Sequence, residues 1–513
     1  MNRTVNSLKK TIFIKNAIIL TATSLILRVA GVIFKVWIAA AVGSEGIGLY
    51  QLVFSVYVLA TVFATSGIST AVTRLVSEEL ALGSKKGCLK ILKRAIMLSL
   101  VIAVASMAII FFGAEFIAFH VLAEPRAAAA LRIIPLSLPF MGISSCIRGY
   151  FIARRNVTPN AIGQIFEQSA RIGIILFLVK RVVSRGISAV CSVIILGDCL
   201  AEALSLFFLS ACFFFDCKKI NFLSGRKRPP YAVVKKILHI TAPITSGRYL
   251  NTLLRTAENI LVPKNLAKYP LSSTNALAQF GMIKGMALPI LFFPSAILNA
   301  VSTLLIPEMS EASAKNQKGL VKSAVYNIIK LTSLISFIFA AVFFVAGENI
   351  GILIYKDATV GYLLKALSPI VPLMYLDSIS DGILKGLDQQ VFSFRTAISD
   401  SVIRIILILI FLPISGLKGF IGIMYFSNFL TCFMNVGRLI KVTNTVIKPI
   451  YELALPLACA FFAAFISNLA IQYINIANNL FHIAVLTSSS ILIYIFLLFF
   501  FGIVKKEELK RIF

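Results

Sequence analysis

Apolar runs of about 20 residues recur along this chain of 513 residues, with no polar block between them large enough to form a soluble domain. A helix needs about that length to cross the hydrocarbon core of a bilayer, where every backbone polar group must be bonded internally. The runs fall near 12–40, 46–76, 91–112, 130–152, 159–179, 187–214, 236–262, 275–306, 322–346, 361–386, 391–412, 418–440, 452–474 and 480–503. Composition separates spans from buried helices of a soluble core. Only 14% of the residues are charged and 58% are hydrophobic, whereas a soluble domain carries about 25% charged residues. The expected fold is an all-α polytopic membrane protein of about 14 transmembrane helices. The first run has a basic leader and closes on Ala39, Ala40 and Ala41, as a signal peptide does, but it is too long and contains Arg28, so it is read as the first span.

A formal net charge of +29 raises nucleic acid as a partner, and the placement of the charges argues against it. Segments on the N-terminal side of the membrane hold about 30 Lys and Arg, against about 8 in the opposite loops, the bias of cytoplasmic loops. An even number of spans then puts both termini in the cytoplasm of a multi-pass cell-membrane protein. The densest basic cluster, "CKKINFLSGRKRPPYAVVKK" at 217–236, reads as a linker lying near the anionic headgroups of membrane lipids.

Hydrolytic and metal chemistry have no foothold in the sequence. The eight cysteines form no CxxC pair, and His120, His239 and His482 lack metal-site spacing. There is no P-loop and no G-x-S-x-G element. No metal, no cofactor and no catalytic residue is expected, and the chain is read as a non-enzyme.

Internal repetition divides the chain. A shift of 229 lays "AVTRLVSEE" at 71–79 over "AVSTLLIPE" at 300–308, and a shift of 233 lays "EQSARI" at 167–172 over "DSVIRI" at 400–405. Glu167 then meets Asp400, and Arg171 meets Arg404. Six spans separate the copies, so the expected architecture is two six-helix lobes related by a parallel pseudo-repeat, 1–216 and 237–446. The linker at 217–236 joins them, and 447–513 supplies two further C-terminal helices and a tail. Parallel repeats of this kind carry a transporter's substrate site where the halves meet.

The intramembrane charges are of two kinds. Glu167 with Arg171, and Asp400 with Arg404, stand four apart on one helix face and neutralise each other, so they are read as structural charge pairs. Asp198 with Glu202, and Asp377 with Asp381 and Lys385, have the same spacing. Arg28 and Lys35 have no acidic residue within four positions, although a charge at the bilayer centre costs at least about 2.5–3.5 kcal/mol. They lie seven apart on one face, with Gly31 between them allowing close approach. Arg248 and Arg255 repeat the interval in the seventh run, beside Glu258, and Lys284 follows in the eighth. These residues are expected to line a wet cavity that attracts an anion. The bland alternative is that Lys35 snorkels to the interface and Arg255 pairs with Glu258.

Four stretches taken in order, "RVAGVIFKVWIAAAVGSEGIGLYQL" (28–52), "AVTRLVSEE" (71–79), "IRGYFIARRNVTPNAIGQIFEQSARI" (147–172) and "VSTLLIPEMSEA" (301–312), resemble the multidrug/oligosaccharidyl-lipid/polysaccharide exporter superfamily, in its sporulation branch. The resemblance covers nearly the whole chain. It implies a monomeric fourteen-helix flippase that moves a lipid-linked oligosaccharide, a peptidoglycan precursor for spore cortex, to the outer leaflet by alternating access. It also implies that the Arg-x-x-Gly segment of the first helix, Arg28 and Gly31 here, lies at the cavity. The lipid II flippase branch resembles the chain too, but its arginines late in the second helix have no counterpart in "ATVFATSG" at 60–67, and its cation before a proline is matched only loosely by Lys284 and Pro294. With no nucleotide motif, a coupling ion or the membrane potential is the expected drive. Pro135, Pro139, Pro243, Pro289, Pro294, Pro369 and Pro372 are expected kink sites. The competing readings are a multidrug or cation antiporter of the same superfamily, which favours an acidic pocket, and a membrane glycan polymerase or ligase, which needs an outward catalytic carboxylate.

Overall fold

A computed structural model describes residues 2–65, 67–218, 230–270, 275–296, 317–446, 448–474 and 479–504, with single positions at 298, 309, 312 and 315. Most of the basic linker, the stretch 299–308 and the C-terminal tail lie outside the described residues. Within them the chain is helical and contains no strand. Among the described residues, ten helices are long and apolar enough to cross a membrane. Their outer surfaces carry large apolar side chains, with Phe112 84% and Phe207 76% exposed, as a lipid-facing surface requires and a water-facing one avoids.

The chain forms two compact units, Met1–Phe34 with Ala41–Lys264, and Lys35–Ala40 with Asn265–Phe513. The first contains α1 (Asn2–Thr65), α2 (Ile68–Ala81), α3 (Lys85–Phe116), α4 (Ala128–Ile133), α5 (Leu138–Ala153), α6 (Thr158–Val182), α7 (Ile187–Lys218) and most of α8 (Pro230–Leu266). The path of α1 is broken at Gly43, whose φ of 72° lies in the left-handed region that glycine enters without steric cost. A second break, at Gly67 (φ 74°), falls inside the run expected at 46–76, so that stretch is two helices rather than one. Helices α2, α3 and α5 share a core that includes Val72, Leu75, Ile91, Leu92, Cys146 and Phe151.

Helix α8, placed by the sequence at the opening of the second lobe, packs with the first unit as far as Lys264. Thr256 donates to the Ser55 carbonyl at 3.2 Å, Tyr249 donates to that of Phe63 at 3.0 Å, and the Phe63 and Tyr249 rings stack at 4.2 Å.

The second unit contains α9 (Ala276–Phe280), α10 (Leu288–Phe292), α11 (Lys318–Tyr355), α12 (Ala358–Leu367), α13 (Val371–Gly386), α14 (Gln390–Thr443), α15 (Leu455–Ile474) and α16 (Asn479–Phe500). Gly416 (φ 53°) breaks α14 as Gly43 breaks α1. The last two helices pack on α11 through Phe337, Ala341, Ala460, Ala464 and Tyr494, and the Tyr494 hydroxyl donates to the Leu334 carbonyl at 3.2 Å.

Prolines bend both units in the same way. Pro135 lies within a 3₁₀ turn at Ile134–Ser137 between α4 and α5, with Pro139 two residues beyond it; Pro369 lies within one at Ser368–Ile370 between α12 and α13, with Pro372 two residues beyond it. Proline lacks the N–H that the α ladder needs, and the tighter turn accommodates it.

Candidate functional site

Helices α6 and α7 are joined by a short turn, Val183–Arg185 followed by Gly186, so they run as an antiparallel pair in the first unit. Their facing surfaces hold a polar network. Arg171 Nη2 lies 3.1 Å from Glu167 Oε1 one turn earlier on α6, and its Nε lies 2.9 Å from Asp198 Oδ1 on α7. Arg148, from α5, reaches the other Glu167 oxygen at 2.7 Å and also donates to Ser205 Oγ at 3.2 Å; Ser205 donates to Glu167 Oε2 at 3.1 Å. Asp198 and Glu202 are 3% and 5% exposed. Charge-assisted contacts with Arg148 and Arg171 are what allow Glu167 and Asp198 to be buried.

The second unit builds a related element on α14. Arg404 Nη2 lies 2.5 Å from Asp400 Oδ2 and donates to Ser427 Oγ at 2.6 Å, and the Ser427 hydroxyl donates to Asp400. Ser427 belongs to the half of α14 beyond Gly416, so the break folds the two halves face to face. Asp377, on α13, accepts from Asn435 Nδ2 at 2.8 Å, whereas Asp381 pairs with Lys385.

The residues expected to line the cavity are distributed differently. Arg28 and Gly31, on α1, are half-buried in the first unit, and Arg248 and Arg255 are exposed on α8 of the same unit. Lys35, exposed, and Lys284, half-buried, belong to the second unit. Arg28, Lys35, Lys284 and Glu258 each interact with a neighbouring group. Lys284 sits in a π-helical turn, Gly281–Ala287, just before Pro289 at the start of α10, a widened turn of a kind frequent at functional sites. Arg148, Ser205, Ser427 and Asn435 were not singled out by sequence. Arg148 had a signal in "SSCIRGYF" (144–151), a charge inside an apolar run.

Two helical units with charged groups buried inside them, wrapped in lipid-facing apolar surface, define a multi-pass membrane protein of transporter architecture. Residues 13–294 match the polysaccharide biosynthesis protein family, and the chain belongs to that family. It is 27% identical to stage V sporulation protein B of Bacillus subtilis (strain 168) over 98% of each chain. Its fold resembles that of lipid II flippase MurJ in an inward closed conformation, with a TM-score of 0.70 and 17% identity, covering 94% of this chain and 98% of that one. It also resembles an inward-facing multidrug resistance MATE family transporter of the MOP superfamily, with a TM-score of 0.66 and 14% identity over 84% of this chain and 100% of that one. The fold is therefore that of the MOP-superfamily flippases and transporters, and none of these relatives is named as an enzyme.

Proposed function

We propose that this protein is a flippase that carries a lipid-linked oligosaccharide, a peptidoglycan precursor for spore cortex, from the cytoplasmic to the outer leaflet by alternating access. The end-to-end similarity to stage V sporulation protein B carries the reading, and the fold shared with lipid II flippase MurJ agrees with it. Arg28, Arg248, Arg255, Lys35 and Lys284 receive the cargo's diphosphate, and Gly31 leaves room for it beside α1. A guanidinium grips phosphate oxygens through paired N–H donors, and an ammonium contributes a point charge. The polyprenyl tail stays in lipid. Fourteen spans place both termini of a monomer in the cytoplasm; the halves of the pseudo-repeat are 1–216 and 237–446, linked by 217–236, and the bodies that move are the two compact units, the first of which includes α8 as far as Lys264. The proline-bearing 3₁₀ turns in each unit supply bending points. A cation antiporter is the second reading, favoured by the MATE-type fold and disfavoured by five candidate site residues that are all cationic.

Reconstituting the purified protein into liposomes with labelled lipid-linked precursors tests the proposal. Appearance of intact, unextended precursor in the opposite leaflet supports it. Movement of cationic drugs in place of any precursor would overturn it in favour of the antiporter, and a lengthened glycan would indicate a polymerase.

A further inference from the structure

Three exposed cations crowd the turn between α6 and α7: Lys180 and Arg181 in the last turn of α6, and Arg185 closing the 3₁₀ turn Val183–Arg185. No acidic residue lies between Glu167 and Asp198, and none of the three cations makes an ion pair among the described residues. A helix C-terminus favours a cation, but its dipole is equivalent to only about half a negative charge. Arg181 and Arg185 stand four apart, a spacing at which like charges on a helix destabilise each other. The turn therefore carries a positive excess that the fold does not neutralise. Its neighbours are engaged elsewhere. Ser188, at the start of α7, donates to the Arg126 carbonyl at 2.7 Å and ties the turn to the segment between α3 and α4. There Arg126 holds both Glu45 and Glu124, and Arg132 holds Glu115, so the acids of this face have cations of their own.

The surroundings of the turn point to the kind of anion. The Arg181 guanidinium lies 4.1 Å from the centre of the Phe177 ring, and Phe177 and Val183 are 57% and 47% exposed. Large apolar side chains exposed beside cations mark the level where hydrocarbon gives way to headgroups. The anion within reach there is a lipid phosphate. The bias of Lys and Arg along the chain assigns this face to the side away from the cytoplasm, and three of the about 8 cations on that side fall in this one turn, against the usual distribution. A glycerophospholipid offers one negative charge to three cations. A polyprenyl diphosphate offers one on each of two linked phosphorus atoms, whose oxygens suit a pair of guanidinium forks.

We propose that Lys180, Arg181 and Arg185 form a binding site for the diphosphate of a polyprenyl-linked lipid, holding the flipped precursor by its head on the outer face before it leaves the protein. The site is separate from Arg28, Lys35, Arg248, Arg255 and Lys284. Its role at exit rests on the transport reading above; the binding itself does not.

Ser184 is exposed between Arg181 and Arg185, so protection of a thiol placed there tests the site. The full-length Ser184→Cys protein in neutral detergent micelles is treated with a maleimide, and peptide mass spectrometry reads position 184 apart from the native cysteines. Undecaprenyl diphosphate should slow the reaction, and the slowing should be lost when Lys180→Gln, Arg181→Gln and Arg185→Gln are added together. All three side chains are exposed, so these substitutions leave the packing alone. Arg181→Lys with Arg185→Lys keeps the charges without the forks and should keep part of the protection. Equal slowing by phosphatidylglycerol would overturn the assignment in favour of bulk anionic lipid, and equal slowing by inorganic diphosphate would overturn it in favour of a free anion. No slowing by undecaprenyl diphosphate, or slowing that survives the triple substitution, would remove the site altogether. For the role at exit, labelled lipid II in proteoliposomes should reach the opposite leaflet more slowly with the triple variant than with wild type, and equal rates would refute that role. If wild type moves no lipid-linked precursor, the transport reading fails, while protection of Ser184→Cys still decides the site.

Discussion

Replacing Arg171 by leucine tests whether the α6–α7 network holds the first unit together. The side chain is 25% exposed and bonds two carboxylates, Glu167 at 3.1 Å and Asp198 at 2.9 Å, whose own side chains are 13% and 4% exposed. Both partners are well under one-third exposed, so solvent screening is weak. Breaking such a pair from one side leaves buried charge uncompensated and costs about 3–5 kcal/mol. Arg148 remains on Glu167, so the larger share of the loss falls on Asp198. The double variant Arg171→Leu/Asp198→Asn should therefore recover about 1–3 kcal/mol of the single variant's loss. Cys88, Cys146, Cys191, Cys199, Cys432 and Cys459 are free and buried, so a thiol-reactive dye added to protein in detergent micelles reports thermal unfolding as they become accessible. The expected order of midpoints is wild type, double variant, single variant. A single variant within about 0.5 kcal/mol of wild type, the range of a surface substitution, would refute the argument, as would a double variant no more stable than the single.

Arg28→Ala should lower precursor flipping about 10- to 100-fold, the value of a hydrogen bond to a charged group, with Arg28→Lys in between because the charge survives and the fork does not. Flipping and thermal stability are measured on the same preparations, and unchanged flipping in Arg28→Ala would remove the residue from the site. In the second unit, a Cβ on Gly351 would stand 2.3 Å from the Gly361 backbone nitrogen, whereas one on Gly422 meets nothing within 4 Å. Gly351→Ala should then cost about 1–3 kcal/mol, and Gly422→Ala should be neutral or stabilising by up to about 1 kcal/mol, compared by thermal unfolding. Single cysteines introduced at 263–274 or 347–360 should react with an impermeant maleimide in intact cells, and those at 217–236 only after the membrane is opened. Labelling of 217–236 from outside would reverse the orientation.

Hydropathy located helices well because a span has to be apolar throughout its length, and it located breaks poorly because a break costs nothing in hydropathy. Gly43 sits in "AVGSEGIG" (41–48), where the polar residues advertise a turn. Gly67 sits in "FATSGIST" (63–70), whose small hydroxyl residues are also ordinary inside a span, and its positive φ depends on how the chain packs there. The proline pairs were legible as kinks, but the conversion to 3₁₀ around the first of each pair depends on both prolines acting on one stretch. The association of α8 with the first unit was not legible, because it rests on cross-helix contacts such as Tyr249 with Phe63, for which no local pattern exists.

The site divides along the same line. Four-residue spacing puts Glu167 beside Arg171 and Asp400 beside Arg404, and both contacts are present; what completes each network comes from other helices at separations no periodicity encodes. The pseudo-repeat narrows that gap. A shift of 233 carries Pro139 to Pro372, Gly149 to Gly382, Glu167 to Asp400 and Arg171 to Arg404, so bend, glycine and charge pair recur in the same order. The same shift carries Arg148 to Asp381, a reversal of charge within the repeated frame. In the first unit that position supplies a second cation to Glu167; in the second it supplies an acid that pairs with Lys385, and Asp377 takes a neutral amide donor from Asn435 instead. Charge reversal at a fixed position leaves the helix packing of a duplicated unit intact while changing what its interior can bind, so a common scaffold need not give the two units a common task. Substituting Arg148 should accordingly destabilise the first unit by taking a cation from the largely buried Glu167 carboxylate, whereas substituting Asp381, whose partner Lys385 is mostly exposed, should cost at most about 1 kcal/mol, a contrast that thermal unfolding of the two variants reads directly.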